Sequence, residues 1–483
     1  MSEREDEMTG RAFPEQGKSR DEVLAALTDH RARDLKSDGH AFAFVYDAGA
    51  ETRELAREAY AACMGINGLD PTVYPSARKV ENQVVAACLE LLNAPEGACG
   101  TATAGGTESV MLAVKGARDW ARKNRPHIKT PKMLLPETAH ACFHKAATYL
   151  GVEIIVVDVD ETFRAKVDDA RAKMTDDVIL VVGSAVSYAH GVIDPIEQLA
   201  ALAKEHGALM HVDACVGGCV LPFMVENGED LPRFDLSVDG VTTLSMDLHK
   251  YGFAPKGISV LLSARRDIRD AQYFACANWS GYAIVNSTTL GSKSIAATGA
   301  AFTLLHYLGR EGYRERAKQM WDGAKTVMSV VEATDGLELL TKPDMGCFAF
   351  RTTEGDVFEL ADRLTERGWH VQPTYAFGRS PAHIHLTMDP GNAANAAAFG
   401  EDLVACMEGL PATIEPPAQV VQMLEMVAGG GGGGLDSGML MSQLGIADGQ
   451  LPHQSAMIHR LINAASPAAR QALLVLFIGE LYS

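Results

Sequence analysis

The chain has 483 residues, 47% of them hydrophobic and 22% charged, enough to bury a large core and to divide into two or three domains. Its 43 Lys and Arg against 62 Asp and Glu leave a formal charge of −19, which favours a soluble protein and disfavours nucleic acid or anionic lipid as partners. Nine cysteines, an odd number scattered through the sequence, read as reduced thiols of a cytoplasmic protein rather than a disulfide framework.

In chain order, the start Met1 to Met8 is charged and lacks the apolar stretch of a secretory signal. It reads as the beginning of an N-terminal arm over residues 1–75. A large domain is expected over 76–320, a small α+β domain over 321–415 and a helical tail over 416–483.

The large domain opens with Gly100-Thr-Ala-Thr-Ala-Gly-Gly-Thr-Glu-Ser109. Gly105 and Gly106 permit a tight turn, and Thr107 is placed to cap a following helix whose apolar face carries Val110, Val114, Ala117 and Ala121. Free N–H groups at such a helix start make a phosphate site, with the Thr107 hydroxyl as an extra donor. The motif is neither a dinucleotide fingerprint nor a Walker loop.

Apolar runs at Lys132–Leu135, Glu153–Asp158, Val178–Val182, Ala208–Asp213 and Gly257–Leu262 then alternate with helical patterns, predicting a mainly parallel sheet covered by helices. His140 lies after the first of these, where its ring can stack on a flat ligand. In His211-Val-Asp-Ala-Cys215 the carboxylate of Asp213 ends a strand, an edge where open α/β sheets bind ligands. It suits a pairing with a pyridinium nitrogen. Cys215 and Cys219 have no convincing second pair of metal ligands, so no metal is expected.

Ser245-Met-Asp-Leu-His-Lys-Tyr-Gly252 places His249 and Lys250 just after a short polar strand. A buried lysine forms a Schiff base with pyridoxal phosphate only if it can become neutral, and a pocket of low polarity is expected to lower its proton affinity. Further on, Cys347–Arg351, Trp369–Gln372 and His383–Thr387 read as strands around a helix over Asp356–Arg367, which makes the small domain. Gly429 through Gly434 read as a flexible joint. Ser455 to Leu481 then has helical spacing and is expected to pack on the body or on a second subunit; its run Leu473–Ile478 is far shorter than a membrane span.

Taken in order, Gly105-Gly106-Thr107, His140, Asp213 and His249-Lys250 resemble the pyridoxal-phosphate-dependent group II decarboxylase family, and within it the sphingosine-1-phosphate lyases. Tyr74-Pro-Ser-Ala-Arg-Lys-Val-Glu81, His190-Gly-Val-Ile-Asp-Pro195 and Tyr251-Gly-Phe-Ala-Pro-Lys-Gly257 add further anchors. The resemblance implies an α/β fold of PLP type I, like aspartate aminotransferase, in a homodimer with shared active sites. It implies that Lys250 carries the cofactor, that Gly106, Thr107 and His249 hold its phosphate, that His140 stacks on the ring and that Asp213 binds the ring nitrogen. Gly291 and Ser292 would reach the phosphate from the partner subunit.

On the substrate side the resemblance points to Tyr46 and Lys256, and to positions around Asn67, Asp70 and Tyr282. It implies retro-aldol cleavage of a phosphorylated 2-amino-3-hydroxy amine to an aldehyde and phosphoethanolamine, with amino-acid decarboxylation or a silent dimeric homologue as the alternatives. Three positions depart from the lyase pattern. Asp70 stands where those enzymes carry a phosphate-contacting histidine, Ile284 where they carry a tyrosine, and Lys293 where they carry an arginine.

Overall fold

The computed structural model describes residues 13, 16–70, 72–428 and 455–482. Two compact units divide the chain, one reaching to Ser37 and the other beginning at Asp38. The first contains the helix Arg20–His30, capped by a reciprocal pair: Glu22 N–H donates to the Ser19 hydroxyl and Ser19 N–H to the Glu22 carboxylate.

The second unit is built on a seven-stranded sheet. Its strands are β1 Cys99–Thr103, β2 Lys132–Pro136, β3 Glu153–Val157, β4 Val178–Ser184, β5 Leu209–Asp213, β6 Thr243–Met246 and β7 Ser259–Ser263, in the order β1-β7-β6-β5-β4-β2-β3. Strands β2 to β6 pair in parallel, as the alternation of apolar runs and helices predicts. Strand β7 is antiparallel to both β6 and β1. Strand β1 was read from the sequence only as part of a glycine turn.

All seven residues of β4 are buried. Val181 packs into one apolar cluster and Leu180 and Val182 into another, so both faces of the sheet are covered. Val110, Val114 and Ala117 of helix Gly106–Asn124 belong to the second cluster, and Leu199 and Ala203 of helix Ile196–Glu205 to the first. Each of these Val and Leu side chains contributes about 1.5–3 kcal/mol by leaving water, and each Ala less.

Beyond a small hairpin of β8 Phe274–Cys276 and β9 Ile284–Asn286 runs the helical span Ala296–Ala333. It breaks at Gly309, whose φ of 56° suits a residue without a Cβ. The smaller C-terminal region is an antiparallel sheet of β10 Leu337–Leu339, β11 Cys347–Thr352, β12 Gln372–Thr374 and β13 His383–Thr387, in the order β10-β11-β13-β12. Its helix Val357–Glu366 is where the sequence predicts it, with the Asp356 carboxylate accepting from the N–H groups of Phe358 and Glu359. The strand expected over Trp369–Gln372 begins only at Gln372. Trp369 instead buries its ring against Phe42 and Phe399, and His370 forms an isolated parallel bridge to Ala41.

The tail contributes helices Ala418–Ala428, Ala456–Ala464 and Pro467–Leu481. It packs on the body: Arg460 forms a buried ion pair with Asp356 at 2.8 Å, and the Ser455 hydroxyl and Ala456 N–H donate to Asp362. The glycine run Gly429–Gly434 lies outside the described residues. Among the described residues no helix is long and apolar enough to cross a membrane, and no group of three or more His, Cys, Asp or Glu could hold a metal ion.

Candidate active site

Strands β1 and β6 both oppose β7, so they run in the same direction, and their carboxyl ends meet that of β5 at one edge of the sheet. This edge carries Gly105-Gly106-Thr107 after β1, Asp213 at the end of β5, and His249-Lys250 after β6. All line one cavity of about 630 Å³, together with His140, Cys215, Tyr188 and Thr289. The size is that of a cofactor site.

The phosphate end differs in one detail from expectation. Helix Gly106–Asn124 has Gly105 as its N-cap without a side-chain cap, and Thr107 stands inside the first turn. The turn is held by Glu108, whose carboxylate accepts from Ala104 N–H at 2.5 Å and from Thr289 N–H at 2.8 Å. Glu108 thus braces the loop before the helix and caps none of its N–H groups, which leaves the first turn and the Thr107 hydroxyl facing the cavity. A β-carbon on Gly106 would lie 2.8 Å from both carboxylate oxygens of Asp247, so only glycine lets this backbone approach the wall.

At the opposite end, buried Asp213 accepts from Cys215 N–H at 3.1 Å and from the Ser245 hydroxyl at 3.3 Å. Burial alone would raise its pKa, but the Cys215 hydrogen bond and the charges of His211, Lys250 and His140 outweigh it, and the carboxyl stays ionised. Behind it, Ser245 contacts His211 Nε2 at 3.2 Å, and His211 Nδ1 contacts the Thr243 hydroxyl at 2.9 Å. With Ser245 donating to Asp213, this places the His211 proton on Nε2. His140 accepts the Cys142 N–H at Nδ1, and burial lowers its pKa, which leaves a neutral ring suited to stacking.

The lysine contradicts one expectation. Lys250 Nζ lies 3.1 Å from the Asp247 carboxylate. Burial alone would lower its pKa, but Asp247 outweighs that effect, helped by Cys215, Tyr46 and Asp213, so the net direction is up. His249 gives Nδ1 to the Ile258 carbonyl at 2.7 Å and holds Nε2 3.6 Å from Asp247. Asp247 was not singled out in the sequence, although a carboxylate three residues before the lysine was visible there. Glu108 was missed too; its signal was an acidic residue in the first helical turn after a glycine pair.

Tyr46 and Lys256 stand near Lys250 without lining this cavity: both feel its charge, and Lys256 Nζ lies 3.5 Å from the His249 carbonyl. The Lys256 ammonium sits 4.8 Å over the Tyr46 ring, and Tyr46 packs edge-on against Tyr251. Burial raises the Tyr46 pKa, keeping a phenol, while desolvation and the charge of Lys250 lower that of Lys256.

The other sequence-derived positions lie elsewhere in this chain. Asn67 contacts the Ser292 hydroxyl at 3.4 Å, beside a second cavity of about 300 Å³ lined by Gly68, Gly291, Glu81 and Lys293. Lys293 is buried, paired with Glu81 at 2.9 Å and donating to the Ala102 carbonyl at 2.6 Å, so its charge is neutralised within the chain. Asp70 is exposed and accepts from the N–H and hydroxyl of Thr72, which lower its pKa. Tyr282 is 60% exposed and Ile284 begins β9.

The donors and acceptors of the first cavity fit pyridoxal phosphate: a helix start with a free hydroxyl at one end, an ionised carboxylate at the other, a neutral ring between them and an amine on the floor. A family model described as the pyridoxal-dependent decarboxylase conserved domain matches residues 5–353. A second, for a candidate helix-turn-helix domain at the C-terminus of pyridoxal-dependent enzymes, matches 418–480.

A sphingosine-1-phosphate lyase of Arabidopsis thaliana is 36% identical over 427 residues, covering 87% of this chain and 77% of that protein. A probable L-aspartate decarboxylase of Pyrococcus abyssi is 31% identical over 378 residues, 78% of this chain and 96% of that protein. The solved structure of the Burkholderia pseudomallei sphingosine-1-phosphate lyase superposes with a TM-score of 0.79 at 33% identity, covering 83% of this chain and 93% of that one. The strand order, the cavity at the carboxyl edge and these matches agree: the chain belongs to the pyridoxal-dependent decarboxylase family and is a lyase that uses pyridoxal phosphate.

Proposed function

We propose that the protein is an aldehyde-lyase that cleaves the Cα–Cβ bond of a phosphorylated, sphingoid-type 2-amino-3-hydroxy amine, giving a long-chain aldehyde and phosphoethanolamine. The likeness to sphingosine-1-phosphate lyases supports it. The observation that carries it is Lys256: its ammonium stands over Tyr46 next to Lys250, and no carboxylate pairs with it among the described residues. A cation held in this way suits the anionic end of a substrate.

When bound, pyridoxal phosphate supplies the electron sink for the bond that breaks. Lys250 presents the amine that holds it. The first-turn N–H groups, the Thr107 hydroxyl and His249 would take its phosphate, and Asp213, ionised in its buried site, would keep a proton on the ring nitrogen. His140 would hold the ring plane, and so decide which substrate bond lies perpendicular to it.

Gly291 and Ser292 would serve the phosphate of a partner subunit in a homodimer, a reading supported by Gly291 lining the second cavity and not the one around Lys250. The four segments expected from the sequence and a cytoplasmic location belong to the same proposal; the nine free cysteines support the latter. A second reading, amino-acid decarboxylation, is favoured by the Pyrococcus abyssi relative, which the chain covers almost completely.

Product analysis separates the two. Incubation with dihydrosphingosine phosphate should release a long-chain aldehyde and phosphoethanolamine. Carbon dioxide from an amino-acid panel, with no aldehyde from the phosphate, would overturn the first reading in favour of the second.

A further inference from the structure

The carboxylate of Asp247 is 3% exposed and stands at the end of β6 on the wall of the cavity. One oxygen, Oδ2, faces two nitrogens, Lys250 Nζ at 3.1 Å and His249 Nε2 at 3.6 Å. The other, Oδ1, has no hydrogen-bond partner among the described residues. A buried carboxylate with an open oxygen is costly unless something uses it. The floor beneath it allows no retreat, since both oxygens already lie where a β-carbon on Gly106 would be.

Lys250 must change protonation to work: as an ammonium it has no lone pair for a carbonyl carbon, and as an amine it has. The groups that act on it are Asp247, Cys215, Tyr46 and Asp213. On the facing elements, Lys256, His140 and Tyr188 also feel its charge. Among the acids, Asp213 is occupied by Cys215 N–H and Ser245, while Tyr46 and Cys215 hold their own protons because burial raises their pKa values. Asp247 alone combines contact with Nζ and an unfilled oxygen.

We propose that Asp247 is the positioning residue of Lys250: it aims Nζ into the cavity and keeps it an ammonium until a ligand displaces that contact. The inference rests on Lys250 being the lysine that carries the cofactor.

The test uses the full-length protein stripped of cofactor, reloaded with pyridoxal 5′-phosphate across pH and followed by the rate at which the visible band appears. With Asp247 in place, the loading rate of the wild type should still be rising above about pH 9, because an opposite charge at this range holds a lysine protonated by about one to three further pH units. In Asp247→Asn the midpoint should move down by that amount, and Asp247→Glu should restore most of it. A wild-type rate that levels off below about pH 8 would overturn the proposal without any variant. So would a folded Asp247→Asn protein with an unchanged profile.

Lys250→Ala keeps the two failures apart. If it still gives the band, the assignment of the lysine falls; if it does not and Asp247→Asn matches wild type, only the role of Asp247 falls.

Discussion

The two cavities contain similar side chains and treat them in opposite ways. Around Lys250, the charged groups of β5, β6 and the following loop are buried within reach of one another, yet among the described residues Asp247 Oδ1 has no partner and Lys256 no carboxylate. Around Lys293, the cation is closed off by Glu81 and the Ala102 carbonyl, and nearby Asp70 is satisfied by Thr72. Both Lys250 and Lys293 are largely buried lysines paired with a carboxylate. The difference is that the second pair completes its hydrogen bonds inside the chain, which is what a structural ion pair requires, whereas the first leaves valences open to a ligand.

If that contrast holds, the two regions should fail differently. The largest effect belongs to the open cavity. Asp213→Asn keeps the shape and an acceptor for Cys215 N–H but removes the charge, so turnover should fall by about 10²–10³-fold while the protein still folds and takes up cofactor. Steady-state turnover beside the visible spectrum checks this, and turnover close to wild type would remove Asp213 from the chemistry.

Next comes the closed pair. Lys293→Met leaves the part-buried Glu81 without its cation and should cost about 1.5–3 kcal/mol of stability, seen as a lower unfolding midpoint in denaturant. Loss of activity with unchanged stability would instead place Lys293 on the ligand side of the comparison.

The smallest effect concerns histidines at both kinds of place. Burial pushes the His211 pKa, behind Asp213, down to about 4. It pushes those of His190 and His385 down to about 3, helped by neighbouring histidines. For groups with a depressed folded-state pKa of this kind, the unfolded chain binds protons first, so their contribution is complete above 6.5 and is lost as pH falls toward those values. Asp194 and Asp389, pushed up by burial to about 6 and about 7, act the other way and lose their contribution as pH rises from 3.8. The histidines shift further, at about 1.4 kcal/mol per pKa unit, so the unfolding midpoint should drop between about pH 6.5 and about pH 4. An acid limb unchanged by replacing His190 and His385 with Gln would assign it to other groups.

Much of the site was legible because its residues sit at fixed offsets from strands with strong patterns. Val178–Ser184 and Leu209–Asp213 are apolar enough to read as buried strands, and a carboxylate or lysine just past such a strand falls at the ligand edge. The helix at Val357–Glu366 was equally clear from the helical pattern over Asp356–Arg367. Strand β1 was hidden, since Cys-Gly-Thr-Ala-Thr has little hydrophobic signal and its place beside β7 depends on residues about 160 positions away. Thr107 looked like a cap because the helix begins one residue earlier than the pattern suggests, at Gly106 with Gly105 as its N-cap.

The sequence by itself determined the parallel α/β sheet and the family, and it singled out Lys250, Asp213, His140 and the Gly105-Gly106-Thr107 turn, which line one cavity, since periodicity and motif order are local properties of a chain. The tertiary structure decided the direction in which Lys250 is shifted, the partner of Lys293 and which of the substrate-side residues feel the charge of Lys250, namely Tyr46 and Lys256. Those outcomes depend on distances of a few ångströms between residues far apart in sequence. Electrostatic and hydrogen-bond energies in a buried site change steeply over such distances.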